Sequence, residues 1–187
     1  MTLRAEKDAL RTLLRGIRDA LPEIERRAMG LEVAERILGV VEDRETVFIF
    51  LSFGSEVPTD PICARLFAAG HSLAVPHISQ GELTPVEYEP GEAATPRVWG
   101  IREPSVLRPM DPSAIDAIVA PGLGFDRRGF RIGYGGGFYD RLLRRCRADA
   151  LRTGIGFHTQ LVSEVPHGGD DEPLDVVVTD VETITCA

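Results

Sequence analysis

Between Ile115 and Cys146 the sequence passes through three regimes in a fixed order. Ile115 to Ala120 is an apolar run closed by Pro121, the pattern of a buried strand. Gly122 to Gly137 is a long glycine-rich stretch. Beyond it Leu142, Leu143 and Cys146 fall on one side of a helical pattern, with Arg141, Arg144, Arg145 and Arg147 around the rest. The order is therefore strand, long loop, helix, the repeating unit of a parallel sheet covered by helices. Four glycines lie between Gly133 and Gly137, where a backbone without Cβ atoms takes positive φ and approaches a ligand closely. Its amides, with those of the helix start, would point at an anion such as a phosphate. Arg131 at the loop entrance has a charge that suits phosphate. Asp140 at the exit offers a carboxylate that could hold a metal.

The plain alternative is a flexible surface loop with a charged border. Arg131, two aromatics and Asp140 at the boundary of one helix weigh against it. Two well-known phosphate loops are excluded. The P-loop needs Gly-Lys-Ser/Thr entering its helix, where this chain has Gly136-Gly137-Phe138. The dinucleotide fingerprint needs a third glycine where Phe138 stands, and an acid after the next strand, which the run Gly154 to Phe157 lacks.

The other segments supply the partners of that unit. Leu10, Leu13, Leu14, Ile17 and Leu21 follow helical spacing and predict a core face for a first helix. Arg4, Lys7, Arg11, Arg15 and Arg18 follow the same spacing as a basic stripe, either a solvated face or an anion-binding one. Pro22 suits the first turn of a second helix to about Val41, with Ile24, Leu31, Ala34, Ile37 and Leu38 as its buried set. Thr46 to Leu51 predicts a central parallel strand. Thr59 is placed to cap the next helix, with Ile62, Leu66 and Phe67 facing the core. Glu56 then lies at the carboxyl end of a strand, where open α/β sheets put their ligands. Ser72 to Val75, closed by Pro76, and Leu83 to Tyr88 predict two more strands. Residues 90–112 read as a long surface loop holding the only tryptophan, Trp99, a plug on the core or a stacking surface. Thr153 to Phe157 and Leu174 to Thr179 are the last two strands, separated by a polar loop with His167, Asp170 and Asp171.

Length and composition narrow the function classes. The 187 residues allow one domain with a sizeable core. A net charge of −8 argues against general nucleic-acid binding. Cys63, Cys146 and Cys186 have neither metal-ligand nor disulfide-framework spacing, which suits a reducing cytoplasm. No apolar run has the length of a membrane helix, and the charged start carries no secretory signal. Lys7 is the only lysine among 21 basic residues, either an accident of composition or a position that needs a compact ammonium rather than a planar fork.

These residues together resemble the 5-formyltetrahydrofolate cyclo-ligase family over nearly the whole chain. The specific part is Pro121 to Asp126 followed by Arg131-Ile132-Gly133-Tyr134-Gly135-Gly136-Gly137-Phe138-Tyr139-Asp140-Arg141. Lys7-Asp8-Ala9-Leu10-Arg11, Glu56-Val57-Pro58-Thr59, Trp99-Gly100-Ile101-Arg102-Glu103-Pro104 and Asp171-Glu172-Pro173-Leu174-Asp175 match in the same order. The resemblance implies a monomeric three-layer α/β/α enzyme using ATP and Mg²⁺, with 5-formyltetrahydrofolate as the other small-molecule substrate. It implies that Lys7, Asp8, Ala9, Leu10 and Arg11, with Arg131 to Tyr139, contact ATP. Lys7 and Arg131 are the expected catalytic cations: the glycine loop has no lysine of its own, so the first helix is predicted to pack with Lys7 reaching over the loop between Gly133 and Gly137. Leu51, Glu56, Trp99 and Tyr134 to Phe138 border the folate, and Asp140 and Asp171 hold the metal. Two departures stand out: Gly136 where many members carry a basic residue, and Pro58 where an acid often follows the Glu-Val pair. Two other functions fit the same scaffold, an ATP-dependent enzyme for another small molecule and a non-catalytic folate- or nucleotide-binding relative. Glu56 and Trp99 argue against the first; Lys7, Arg131, Asp140 and Asp171 together argue against the second.

Overall fold

The computed structural model describes residues 2–97 and 100–186. Seven strands form one sheet: β1 (Thr46–Ile49), β2 (Ser72–Ser79), β3 (Glu82–Glu87), β6 (Ala117–Ala120), β9 (Leu151–Ile155), β10 (Val176–Val178) and β11 (Thr183–Thr185). Their order across the sheet is β11-β10-β9-β6-β1-β2-β3. The five inner strands are parallel, and β3 and β11 are antiparallel edges. Four helices accompany the sheet: α1 (Leu3–Asp19), α2 (Glu23–Val41), α3 (Asp60–Ala68) and α4 (Phe138–Arg145). Alternate residues of the strands serve opposite faces. Val47, Ile49, Leu73 and Val75 pack with Val33, Ile37, Ile62 and Leu66 of α2 and α3. Phe48, Ala74, Ile118 and Ala120 pack with Leu142 and Leu143 of α4. The architecture is the expected α/β one, a mostly parallel sheet with helices on both faces.

Several elements differ from the sequence expectation. β2 does not stop at Pro76 but runs to Ser79, because Pro76 stands opposite Pro85. The carbonyl of Pro85 turns outward to accept from the Met110 N–H at 2.9 Å, so this pair sits where the ladder requires no amide of either residue. Residues 90–112 are not all loop: β4 (Ala94–Pro96) and β5 (Arg102–Pro104) form a small hairpin. Buried Glu103 ties that hairpin to β2 through His77 Nδ1 at 2.7 Å and the Ile78 N–H at 3.0 Å. The glycine-rich stretch contains a second hairpin, β7 (Gly124–Phe125) and β8 (Arg131–Ile132). The last strand is β11 rather than the run 174–179.

The helices bury part of their expected apolar faces, Ala34 and Ile37 on α2, Ile62 and Leu66 on α3 and Leu142 and Leu143 on α4, but turn other expected residues outward. On α2 the buried set is Gly30, Val33, Ala34, Ile37 and Val41, while Ile24 and Leu31 are exposed. On α3 Phe67 is exposed beside buried Ile62, Cys63 and Leu66. Thr59 stands at the N-cap, but its hydroxyl makes no cap bond. It accepts instead from the Ser52 N–H at 2.8 Å, and the Ser52 hydroxyl accepts from the Thr59 N–H at 3.1 Å. The reciprocal pair cinches the loop that carries Glu56. On α1 only Leu14 and Arg18 are buried, and Leu13 and Ile17 face outward. Lys7, Arg11, Leu14 and Arg18 follow helical spacing, so the basic stripe is the inner face.

Candidate active site

The chain leaves β1 towards β2 and β3 on one side, then returns to β6 and continues to β9, β10 and β11 on the other. The carboxyl ends of β1 and β6 therefore flank the switch point, where a crevice must open. A cavity of about 650 Å³ lies there. The loop after β1 contributes Leu51, Phe53, Ser55 and Glu56 to its wall. The loop after β6 contributes Gly133 to Phe138. Helix α1 closes it with Lys7, Arg11, Arg15 and Arg18.

At the phosphate-like end the charges are already arranged in pairs. Lys7 Nζ meets both oxygens of Asp171 at 2.7 and 2.6 Å. Arg131 Nη2 donates to Asp140 Oδ1 at 2.8 Å, and the Glu172 N–H donates to the same oxygen at 3.2 Å. Burial alone would raise the Asp171 pKa; Lys7, the Gly168 N–H and Arg131 together hold it below the ordinary carboxylate value. The Arg131 guanidinium is nearly enclosed, with its Nε unpartnered among the described residues. A buried N–H without an acceptor is costly, and its place on the cavity wall suits an anionic ligand. Gly135 and Gly137 have φ of 99° and 65°, a conformation that side chains other than glycine adopt at a cost. Arg11, not Lys7, touches the loop directly, its Nε donating to the Gly133 carbonyl at 2.9 Å.

The other end is built around Glu56, which is buried. Its Oε2 accepts from the Phe53 N–H at 3.1 Å, and its Oε1 accepts from the Tyr134 hydroxyl at 3.2 Å. Burial pushes its pKa up to about 7, against the pull of Arg18, the Phe53 N–H and Tyr134. Arg18, also buried, donates to Ser55 Oγ at 3.0 Å and to the Tyr134 hydroxyl at 2.7 Å. Ser55 in turn donates to Asp19. Sequence reading placed Arg18 only in a stripe of basic residues. Its spacing from Lys7, Arg11 and Leu14 was the available signal.

Of the expected site residues, Lys7, Arg11, Leu51, Glu56, Arg131 to Asp140 and Asp171 all line this cavity. Asp8, bound to Arg11 at 2.6 Å, lines not this cavity but a second one that shares Lys7, Arg11, Tyr134 and Gly135 with it; Ala9 and Leu10 line neither. Trp99 lies outside the described residues, although Ile101 of the same segment lines the cavity. Asp140 and Asp171 stand near the loop, and no cluster of three or more His, Cys, Asp or Glu occurs among the described residues. That donor set fits an ion that takes one or two carboxylates and completes its shell with phosphates and water. The two departures have local explanations. A Cβ at Gly136 would lie 2.5 Å from the Phe138 ring, so that ring fills the space of a side chain there. Arg141 covers the same ring and donates to the Gly136 carbonyl at 3.1 Å. Pro58 faces away from the cavity and packs against Gly30 of α2.

Known proteins resemble this chain in sequence and in fold. The 5-formyltetrahydrofolate cyclo-ligase family matches residues 3–180. The chain is 34% identical to an Escherichia coli (strain K12) 5-formyltetrahydrofolate cyclo-ligase over 175 residues, covering 89% of this chain and 96% of that one. It is 28% identical to the Mus musculus protein of the same name, covering 95% of each. The NMR structure of Aquifex aeolicus 5,10-methenyltetrahydrofolate synthetase superposes with a TM-score of 0.84 at 28% identity, covering 96% of this chain and 92% of that one. By its sequence over almost its full length and by the fold that carries its cavity, this chain belongs to the 5-formyltetrahydrofolate cyclo-ligase family.

Proposed function

We propose that the chain converts 5-formyltetrahydrofolate to 5,10-methenyltetrahydrofolate with consumption of ATP and release of ADP and phosphate. One observation carries this reading: a single cavity has a buried carboxylate at one end and a glycine loop with three cations at the other. The formyl oxygen of the substrate is amide-like and leaves poorly. Transfer of the γ-phosphoryl group forms an O–P bond to that oxygen and breaks the bond to ADP. Folate N10 then attacks the activated carbon and forms the N10–C bond; N10 gives up its proton and the C–O bond breaks, phosphate departing with the electron pair and taking up that proton. The protein's task is alignment and charge stabilisation.

In this reading Lys7, Arg11 and Arg131 hold the phosphates with the amides of residues 131–139. Asp8, Ala9 and Leu10 serve by shaping the helix that presents Lys7 and Arg11. Glu56 accepts from the pterin N–H groups, and Leu51, Trp99 and the 134–138 loop enclose the folate. Asp140 and Asp171 would hold Mg²⁺, which when bound supplies charge that offsets the polyphosphate. Lys7 and Arg131, released from those carboxylates, are then free to turn to the phosphates.

A monomeric, cytoplasmic enzyme without nucleic-acid or membrane partners belongs to the same proposal. Three free cysteines support the reducing compartment in this proposal, and among the described residues no helix is long and apolar enough to cross a membrane. The test is the absorbance of the methenyl product from 5-formyltetrahydrofolate, ATP and Mg²⁺. Product must form in proportion to ADP. ADP release without methenyl product would point to a different acceptor.

A further inference from the structure

We propose that the Tyr134 hydroxyl, held by Arg18, couples the two substrate subsites, so that folate and nucleotide each strengthen the binding of the other. The inference rests on the function proposed above. Tyr134 is the only residue between Gly133 and Gly137 that has a side chain. It is the one side chain of the run itself, whereas Arg11 and Arg141 reach only backbone carbonyls, those of Gly133 and Gly136. The Tyr134 side chain is gripped from the folate side. Its ring stacks on Phe53, which belongs to the Glu56 loop, at 5.8 Å and 30°. Arg15 and Arg18 lie over the ring at 5.3 and 5.8 Å.

The hydroxyl is the junction itself. It accepts from Arg18 Nη2 at 2.7 Å and donates to Glu56 Oε1 at 3.2 Å. Arg18 is anchored independently, through Ser55 Oγ at 3.0 Å, and its Nη1 lies 3.9 Å from Glu56 Oε1. One oxygen thus joins three segments distant in sequence: α1, the loop after β1 and the glycine loop. The charges make the junction directional. Arg18 occupies a lone pair of the Tyr134 oxygen, so its proton is left for the Glu56 carboxylate.

A folate whose N–H donors bind Glu56 favours the ionised carboxylate. An ionised carboxylate holds the Tyr134 proton more firmly, because charged acceptors make the stronger hydrogen bonds. The loop is then held in one conformation before the nucleotide arrives, and the nucleotide does not bear the whole cost of ordering four glycines. By linkage the effect is reciprocal: nucleotide on the ordered loop fixes Tyr134 and, through it, Glu56. Arg18 is a positioning residue in this scheme, acting through Tyr134 and Glu56.

The experiment measures dissociation constants by calorimetry for a non-hydrolysable β,γ-methylene ATP analogue with Mg²⁺, with and without saturating 5-formyltetrahydrofolate. In the wild type the folate should tighten the analogue by roughly fivefold or more, and the analogue should tighten the folate by the same factor. Tyr134→Phe keeps the ring and its stacking but removes the junction, and the ratio should fall to within about twofold of one. The ratio is the readout, whatever happens to either constant alone. Arg18→Met keeps the buried stem and should lower the ratio as well. A wild-type ratio of one, or an undiminished ratio in Tyr134→Phe, would overturn the coupling while leaving the proposed function standing. Failure of the wild type to bind 5-formyltetrahydrofolate at all would overturn the proposed function and the coupling with it.

Discussion

Glu56 and Lys7 are single side chains with opposite electrostatic situations. The pKa of Glu56 in the fold is about 7 against an ordinary 4.5, with burial as the main cause. The folded protein therefore binds this proton more tightly than the unfolded chain. Below about pH 4.5 both forms carry it and nothing is lost; above about pH 7 both have released it, and the burial penalty, on the order of 3 kcal/mol, is fully present. Glu56→Gln has no charge to bury, so its melting temperature should gain on the wild type by roughly 5 °C or more between pH 5 and pH 8. The same variant should bind 5-formyltetrahydrofolate weaker by roughly 2–4 kcal/mol at pH 8 with little change for ATP. Wild-type folate affinity should fall about tenfold per pH unit below 7, and the variant's should be flat. Flat wild-type binding between pH 5.5 and 8 would show that the anion is not the acceptor. Lys7, by contrast, is ion-paired and partly exposed. Lys7→Gln should slow turnover on the order of a hundredfold, with poor rescue by Lys7→Arg, because a fork does not replace a point charge. As the sole lysine it is also open to amine-selective acetylation, with only the terminal amine competing. Mg-ATP should protect both the side chain, read by mass spectrometry, and the activity.

The elements that matter most are α1 and the glycine loop with α4. Asp140 begins α4 and faces back towards the loop that leads into β10, accepting from Arg131 and the Glu172 N–H. Asp140→Asn preserves size and one acceptor oxygen while removing the charge. It should keep the native circular-dichroism spectrum, lower the melting temperature because enclosed Arg131 loses its counter-charge, and raise the Mg²⁺ concentration needed for tight ATP-analogue binding by on the order of tenfold. An unchanged Mg²⁺ titration would remove Asp140 from the metal site. Helix α1 shows how a helix can bury its polar face. Its apolar anchor is Leu14, packed with Leu123, Ile132 and Val165. The tip of that side chain reaches the space that a Cβ at Gly124 would take, at 2.3 Å. Around it the contacts are Lys7 with Asp171, Arg11 with Gly133 and Arg18 with Ser55 and Tyr134.

Across the whole molecule, the parallel strands form a stable base, while α1 is attached over the cavity by buried Leu14, half-buried Leu10 and several polar side chains. Local stability follows buried apolar contact, so α1 should open more readily than β1 or β6. Its cations are placed to hold the phosphates, and nucleotide should therefore tighten it. In hydrogen exchange read by mass spectrometry, Mg²⁺ with the ATP analogue should slow the α1 amides by roughly tenfold and leave β1 and β6 unchanged. If the analogue binds and α1 exchange does not change, the helix takes no part in holding it.

Much of this was legible in the chain itself. The runs 47–51 and 117–120 are apolar without alternation because both faces of their strands are covered, and they became the central pair of the sheet. The glycine loop with Arg131 and Asp140 at its borders declared its chemistry locally, since both charges lie within a few residues of the amides they accompany. Other features have no local signature. The edge strand β11 is only three residues long, and the paired prolines of β2 and β3 look like strand ends until their register is known. The apolar spacing of α1 reports which residues could be buried, not what lies opposite them. Two carboxylates, a carbonyl and two hydroxyls from residues 55, 56, 133, 134 and 171 wait there, and they draw the basic face inward. The sequence alone determined the class of sheet and the kind of loop at its edge. Strand order decided that Glu56 and Tyr134, 78 residues apart, meet at one hydrogen bond. A switch point arises from how strands are ordered across a sheet, which no single stretch of chain encodes.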